Sequence, residues 1–386
     1  MTICFITDHP FSEREGTYFY GGGIPADMLR RYVRGESKLI VIGRKSSKQN
    51  QTLSSIPNSE FHLMDNYHTP IDIFLKNVLL KKELTQYIQK ADGVIIRMPN
   101  VLGSIVCQVC KHLGKPFSIE VCGSAYDSFH NYGSIIGKIA APWYEKMVAR
   151  IVATSDFVLY VTQEYLQKEY PHKPTATTIA CSNVALPQLI PISVLENRLN
   201  RIMFHKGNKY IFGQIGNVEV MYKGYSIVLQ AISALQKQGI DVTYEIVGGG
   251  KPKKLMEEAR KYGVEKSLVV RGKINHEKIP EFMEHIDIYV HPSFQEGVPR
   301  AVVEAISNAV PSIVSDTAGT SELVNRIWVH KAGDVKKFTN DLFKMIQNKD
   351  LMLQASKDNF ERAKNYYPDV LNSRRNKYYD MFFNSL

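Results

Sequence analysis

An α/β protein of two Rossmann-like domains is what this sequence predicts, and three observations carry the expectation. Short β-branched runs alternate with longer amphipathic stretches, as in parallel sheets joined by crossover helices. The alternation stops in a stretch of prolines and then polar and basic residues at Pro187–Asn208, and restarts at Tyr210. The length, 386 residues, is long for one core and comfortable for two.

In the first half the candidate strands are Ile3–Thr7, Leu39–Ile42, Gly93–Arg97, Ser118–Val121 and Phe157–Val161. Helical patterns lie between them, as at Ile71–Gln89 and Ile135–Thr154, and the polar, aperiodic Arg44–Asn58 reads as a solvated loop. The second half places strands at Tyr210–Ile215, Val242–Val247, Leu268–Arg271, Ile286–Val290, Ser312–Val314 and Ile327–Val329. The expected domains are 1–188, 189–365 and an aromatic-rich terminal helix at 366–386, which either crosses back onto the first domain or packs on the second. Ligands of such sheets bind beyond the carboxyl ends of the strands, so with two facing domains the site is expected in an inter-domain cleft.

The net charge is +10, with basic residues spread over both halves rather than gathered in a stripe, which argues against a nucleic-acid binder. Anionic small molecules or an anionic membrane surface fit that charge. The five cysteines, Cys4, Cys107, Cys110, Cys122 and Cys181, do not space as a disulfide framework and read as buried thiols. The opening Thr2-Ile3-Cys4-Phe5-Ile6 reads as a strand rather than a signal peptide, and no run of about 18 apolar residues exists. The expectation is a cytoplasmic protein. The helix around Trp143, Tyr144, Lys146 and Arg150 offers a peripheral contact at the inner face of the membrane as a side reading, against an ordinary packed helix.

The chemistry concentrates in His291-Pro292-Ser293-Phe294-Gln295-Glu296-Gly297-Val298-Pro299, which follows a strand and opens a helix containing Glu304. A helix N-terminus offers free N–H groups and partial positive charge to a phosphate, and carboxylates accept hydrogen bonds from sugar hydroxyls. The two carboxylates of a glycosidase flank one bond roughly 5–10 Å apart. Eight helical positions span about 12 Å, so Glu296 and Glu304 suit separate contacts along one extended ligand. Lys223, in Tyr222-Lys223-Gly224-Tyr225 after the first strand of the second domain, can neutralise a diphosphate leaving group. Gly248-Gly249-Gly250-Lys251 reads as a tight strand-to-helix turn or a ligand contact. Gly21-Gly22-Gly23 after strand one can face a diphosphate or an acceptor. Asp127 and His130, in the polar loop Glu120–Asn131, are candidates to position an acceptor hydroxyl. No cluster has metal-ligand spacing and no Asp-x-Asp is present, so catalysis is expected to rest on Lys223 and helix-terminus amides, with no metal and no cofactor.

These residues resemble a known family. From Tyr244 to about Asp334 the chain looks like the retaining glycosyltransferases of the GT-B fold, family 4 or group 1. The match runs through Glu245-Ile246-Val247-Gly248-Gly249-Gly250, Arg271-Gly272, Asp287-Ile288-Tyr289-Val290-His291-Pro292-Ser293, and Glu296-Gly297-Val298-Pro299 with Glu304-Ala305. It continues through Val310-Pro311 and Gly319-Thr320-Ser321-Glu322, and Lys223-Gly224 extends it. Glu120–Asn131 and Cys181–Val184 look most like enzymes that assemble bacterial surface polysaccharides, of the capsule or O-antigen kind. The resemblance implies a nucleotide diphosphate sugar as donor, with a UDP-sugar favoured, and a glycan or lipid-linked acceptor. It implies Glu304 on the ribose, Glu296 with the amides of Gly297 and Val298 on the sugar and diphosphate, and Lys223 on the leaving diphosphate. The backbone of Gly272, Lys273 and Ile274 would recognise the base, and the anomeric configuration would be retained without a metal.

Three departures stand out. Gln214, expected among the donor-binding residues, replaces the arginine that the family carries after Gly213 on the diphosphate. Ser182-Asn183-Val184 stands for Asn-Gly-Val. Ala309 stands for a glycine, which would cost about 1–2 kcal/mol in a left-handed conformation, so a different local turn is expected. Two other readings remain at this level: a partner protein that keeps the fold and binds a nucleotide sugar with weak or no catalysis, and a nucleotide-sugar epimerase.

Overall fold

The computed structural model describes residues 1–21, 24–46, 48–64, 76–130 and 135–386. It divides into one unit of Met1–Cys181 with Ser373–Leu386 and a second of Ser182–Asn372.

In the first unit, strands β1 (Thr2–Arg14), β2 (Thr17–Tyr20), β3 (Lys38–Lys45), β4 (Thr52–Leu53), β5 (Ser59–Met64), β6 (Gly93–Met98), β7 (Phe117–Val121), β8 (Phe157–Tyr160) and β9 (Thr177–Ala180) share one sheet. Its parallel part runs β5-β3-β1-β6-β7-β8-β9. The end of β1 turns back on β2 and β4 as an antiparallel corner. Strand β6 is buried along its whole length, as its unbroken Val94-Ile95-Ile96 core requires of a strand covered on both faces. Among the described residues up to Cys181 the helices are α1 (Ala26–Leu29), α2 (Asn77–Ile88), α3 (Gly103–Leu113), α4 (Ala125–His130), α5 (Ile135–Ala153) and α6 (Tyr165–Glu169).

The second unit has strands β10 (Lys209–Ile215), β11 (Asp241–Val247), β12 (Leu268–Gly272), β13 (Ile288–His291), β14 (Ser312–Ser315) and β15 (Val329–His330), in the order β12-β11-β10-β13-β14-β15. All pairs are parallel. The order reverses between β10 and β13, and the crevice at such a switch point is where ligands of these sheets bind. Helices α7 (Ile192–Met203), α8 (Tyr225–Gln236), α9 (Lys253–Lys261), α10 (Ile279–His285), α11 (Arg300–Ser307), α12 (Val335–Gln347) and α13 (Lys349–Ala363) surround this sheet. Helix α14 (Pro368–Phe383) follows.

Several expected boundaries move. Pro187–Asn208 is not a linker: it holds α7, whose buried Arg198 donates to the carbonyls of Ile286 and Met283. The division falls at Cys181 rather than residue 188, because Leu186 already lies in the second core and its N–H donates to the Tyr366 carbonyl at 2.9 Å. Arg44–Asn58 carries the short strand β4 and is pinned by the Asn50 N–H on Ser12 Oγ at 3.0 Å. Of the helix expected at Ile71–Gln89, residues 71–75 lie outside the described residues and the rest forms α2. The cysteines are free thiols, and all but Cys122 are buried.

The end of α14 belongs to the first unit and closes its core. Tyr378 shares a hydrogen bond with Ser118 Oγ at 2.7 Å. Tyr379 donates to Glu120 Oε1, which also accepts from Tyr32 at 2.8 Å. Glu120 Oε2 takes both Nε and Nη2 of Arg97, at 3.0 and 2.9 Å. Burial opposes the charge of Glu120, but the Arg97 guanidinium and the two hydroxyls outweigh it and hold the carboxyl below its ordinary range.

Replacing Glu120 by Gln strands the Arg97 charge in the core. Urea denaturation should show a loss of about 3 kcal/mol, whereas Tyr379→Phe, which removes one hydroxyl, should cost about 1 kcal/mol.

Candidate active site

The site begins where β10 and β13 diverge. After β10 the chain turns through Tyr222 and Lys223 to Gly224, which has φ +77° and starts helix α8. A Cβ on Gly224 would run into the Pro292 carbonyl oxygen, so only glycine lets the two loops touch. The contact is stitched by the Phe294 N–H and the Ser293 hydroxyl, both donating to the Tyr222 carbonyl, at 2.8 and 3.2 Å. This brings the loop after β10 against the loop after β13.

Lys223 Nζ consequently sits 2.6 Å from Glu296 Oε1. His291, fully buried at the end of β13, donates from Nε2 to the same oxygen at 2.9 Å. Burial alone would raise the Glu296 carboxyl; the hydrogen bond and charge of His291, with Lys223 behind them, bring it down to about 2. Glu296 is therefore an anion at neutral pH, and the arrangement is a carboxylate clamped between an imidazole and an ammonium. Helix α11 begins at Arg300, after Gly297, Val298 and Pro299, and directs its N-terminus toward this loop.

Glu304 lies one turn into α11 and is 8 % exposed. Its Oε1 accepts from His276 Nε2 at 2.8 Å, and burial raises its carboxyl despite that partner. Tyr289 on β13 links the two acids. Burial is the first cause of its raised phenol, and the charges of Glu304 and Glu296 both add to it. Its hydroxyl accepts the Ile215 N–H at 3.2 Å. Lys223, Glu296 and Glu304 thus share one region at the switch point.

Gln214 is not free to bind a donor. It is fully buried, its Nε2 donates to the Lys223 carbonyl at 2.8 Å, and its Oε1 accepts from Tyr244. An amide here braces the backbone of Lys223 and leaves the lysine as the nearer cation. Gly248–Gly250 forms a packed turn. The Val218 N–H donates to the Gly249 carbonyl and the Gly248 N–H to the Gly272 carbonyl, both at 2.9 Å. A Cβ on Gly248 would strike the Gly216 carbonyl. Gly272 ends β12 beside this turn, Lys273 and Ile274 follow it, and His276 comes two residues later. A cavity of about 610 Å³ lined by Arg271, Lys278, Phe282 and His285 meets the expected site at Ile274 alone.

The first-unit candidates form a separate group. Asp127 is half-buried, and burial raises its carboxyl against the hydrogen bond of Ser124 and the charge of His130. His130 stacks on Tyr126 with ring centroids 5.0 Å apart. Near them Glu145 accepts from the Tyr126 N–H at 2.6 Å and from the Tyr170 hydroxyl at 2.8 Å. Burial, then the charges of Glu145 and Asp127, push Glu169 up to about 7. Gly21 is exposed, close to the Asn50 side chain; Gly22 and Gly23 lie outside the described residues.

Sequence reasoning gave His291 and His276 no role. The first stands five residues before Glu296 and meets it as the chain turns from β13 toward α11; the second, four after Gly272, meets Glu304 of α11 across 28 residues of sequence. The expectation of a different turn at Ala309 is overturned. Ala309 has φ +52°, is fully buried, and is the left-handed residue that ends α11. Its N–H reaches the Ile306 carbonyl, and the Val310 N–H reaches the Ala305 carbonyl, both at 3.0 Å, as in a Schellman cap.

Two measurements test this geometry. The Glu296 carboxyl is depressed on folding, so its stabilising contribution is complete above the ordinary carboxylate range and disappears as pH falls toward 2. The difference in denaturation midpoint between wild type and Glu296→Gln should therefore shrink steadily between about pH 4.5 and pH 2. At Ala309, glycine would relieve about 1–2 kcal/mol of strain. It would lose about 0.8 kcal/mol of methyl burial and about 0.4–1 kcal/mol through a looser unfolded chain. Ala309→Gly should be near neutral, while Ala309→Val, β-branched at positive φ, should cost about 2 kcal/mol or more.

Comparison with known proteins agrees with this geometry. Residues 197–362 match the family described as Glycosyl transferases group 1. Protein CapJ of Staphylococcus aureus is 32 % identical over 381 residues, covering 98 % of this chain and 94 % of its own. The Escherichia coli UDP-Gal:alpha-D-GlcNAc-diphosphoundecaprenol alpha-1,3-galactosyltransferase is 24 % identical over 289 residues, 72 % of this chain and 70 % of its own. Among solved structures, sucrose-phosphate synthase from Thermosynechococcus elongatus superposes with a TM-score of 0.67 at 14 % identity and full coverage of both chains, which shows the GT-B fold. The chain belongs to the group 1 glycosyltransferase family and is a glycosyltransferase.

Proposed function

We propose that this glycosyltransferase moves a hexose-type sugar from a nucleotide diphosphate sugar, a UDP-sugar first, to a lipid-linked acceptor in the assembly of a surface polysaccharide. The observation that carries the reading is Lys223 paired with Glu296 beside the N-terminus of α11, at the switch point of a parallel sheet. The donor class and the acceptor draw support from the Escherichia coli relative, whose name specifies UDP-Gal and a diphosphoundecaprenol acceptor.

In this reading the donor diphosphate takes the place of Glu296 on the Lys223 ammonium and rests on the amides of Gly297 and Val298. Glu296, still held by His291, turns to the hydroxyls of the transferred sugar. Glu304 exchanges His276 for the ribose hydroxyls, and the backbone of Gly272–Ile274 reads the base. The bond from the anomeric carbon to the phosphate oxygen breaks, and its electron pair stays on the diphosphate, where Lys223 and the helix terminus stabilise the charge. The acceptor hydroxyl oxygen bonds to the anomeric carbon on the same face and passes its proton to the departing phosphate, which retains the configuration. Asp127 and His130 are the proposed groups to orient that hydroxyl. No step calls on a metal.

A second reading has one observation in its favour. Gln214 is buried and hydrogen-bonded to the Lys223 carbonyl and to Tyr244, which leaves the site one cation short of the family pattern. A nucleotide-sugar-binding partner protein would bind without turnover.

Lys223→Ala and Glu296→Ala should each lower transfer by roughly a hundredfold or more while circular dichroism shows a folded protein. Full activity in both variants would overturn the proposal. Calorimetric binding of a nucleotide sugar without turnover on any lipid-linked acceptor would favour the partner reading.

A further inference from the structure

One flank of the first unit carries a surface that the transfer chemistry does not use. Helices α3 and α5 pack side by side and leave a groove of about 330 Å³ between them. Cys107, Met147 and Ile151 form its apolar lining, Trp143 stands at one wall, and Lys111, Lys146 and Arg150 are its cationic groups. Trp143 is 67 % exposed and Ile139, one turn earlier on α5, is 76 % exposed. A tryptophan and an isoleucine gain nothing from water at those positions.

The charge around them has one sign. The outward stripe of α5 continues from Ile139 and Trp143 to Lys146 and Arg150, at helical spacing. The acid of that helix, Glu145, is turned inward to the Tyr126 N–H and the Tyr170 hydroxyl. Helix α3 contains no acid and adds Lys111. Helix α2, packed on α3, has exposed Val78 and Leu79 in its first turn, and its Glu83 is engaged by His62 at 2.7 Å. Chain order in a parallel sheet sets the first turns of α2 and α3 at the same edge, beyond the strand ends, so these apolar groups lie toward one margin of the flank.

We propose that this flank docks on an anionic lipid bilayer. Trp143 and Ile139 enter the interfacial layer, the groove between α3 and α5 accepts acyl chain, and Lys111, Lys146 and Arg150 meet the headgroup phosphates. No helix among the described residues is long and apolar enough to cross a membrane, so the contact is peripheral. What the contact achieves rests on the lipid-linked acceptor reading above. The contact itself is measurable without donor or acceptor, so it can fail or succeed independently of turnover.

The chain has two tryptophans, and Trp328 is 2 % exposed in the second core, so Trp143 is the reporting fluorophore. The whole protein is sedimented with vesicles of phosphatidylcholine alone and with vesicles containing phosphatidylglycerol, at low and high salt. Binding should appear with phosphatidylglycerol at low salt, with a blue shift of Trp143 and protection from acrylamide. Lys146→Glu with Arg150→Glu should weaken it roughly tenfold or more. Trp143→Ala should weaken it too, while both variants keep wild-type transfer to an acceptor dispersed in detergent. Absence of binding to phosphatidylglycerol would overturn the inference. So would binding that leaves Trp143 fluorescence unchanged, binding that ignores the charge reversals, or a dimer of this chain that Trp143→Ala dissolves.

Discussion

The close approach of Gly224 to the Pro292 carbonyl is the constraint on which the candidate site depends. The loops after β10 and β13 belong to strands that neighbour each other in space but lie far apart in sequence. Without a side chain at residue 224 they touch backbone to backbone, and the Lys223 ammonium is delivered to Glu296. Every other group is arranged around that meeting. Gln214 holds the Lys223 carbonyl, His291 holds the same carboxylate oxygen as Lys223, and Tyr289 lies within the field of both Glu296 and Glu304. Each acid already has a hydrogen-bonded partner, Lys223 and His291 for Glu296 and His276 for Glu304. A buried carboxylate with a hydrogen-bonded partner costs less than a lone buried ion, which is how two acids can be held side by side here.

Much of this was legible from the residues. The alternation of β-branched runs with amphipathic stretches located nearly all the central strands, because a parallel sheet buried on both faces leaves little freedom in composition. The Glu296–Glu304 spacing and Lys223 were legible because a glycine turn before a helix limits what their side chains can reach. Partnerships across strands were not. His291 and His276 look like ordinary histidines until the turn after β13 sets the first against Glu296 and the packing of the segment after β12 on α11 sets the second against Glu304. Gln214, expected on the donor, is buried and braces the Lys223 carbonyl, which only its burial and its hydrogen bonds to Lys223 and Tyr244 reveal. Ala309 gave no sign of a left-handed backbone, since the strain is absorbed by the cap of α11 and the surrounding core. The helix α7 was missed because its outward polar face dominates a short sequence whose buried side is an arginine and one isoleucine.

The two units use charge in opposite ways. In the second, Lys223 and Glu296 pair at the switch point of the sheet and keep some exposure to solvent. In the first, Arg97 and Glu120 are sealed in the core with three tyrosines around them, and nothing can displace them without dismantling the fold. That sealed pair fixes β6, β7 and the end of α14 relative to one another, which gives the loops after those strands a rigid base.

The same arrangement has a consequence for the order of events during synthesis. Tyr378 and Tyr379 complete the Ser118 and Glu120 contacts, yet they are made after every residue of the second unit. While the polypeptide is still growing, Glu120 and Arg97 have each other but lack their last hydroxyls, and the apolar face awaiting α14 stays wet. The second unit, contiguous from Ser182 to Asn372, can leave the ribosome and close first. The half of the molecule that is translated earliest is thus the half that matures last.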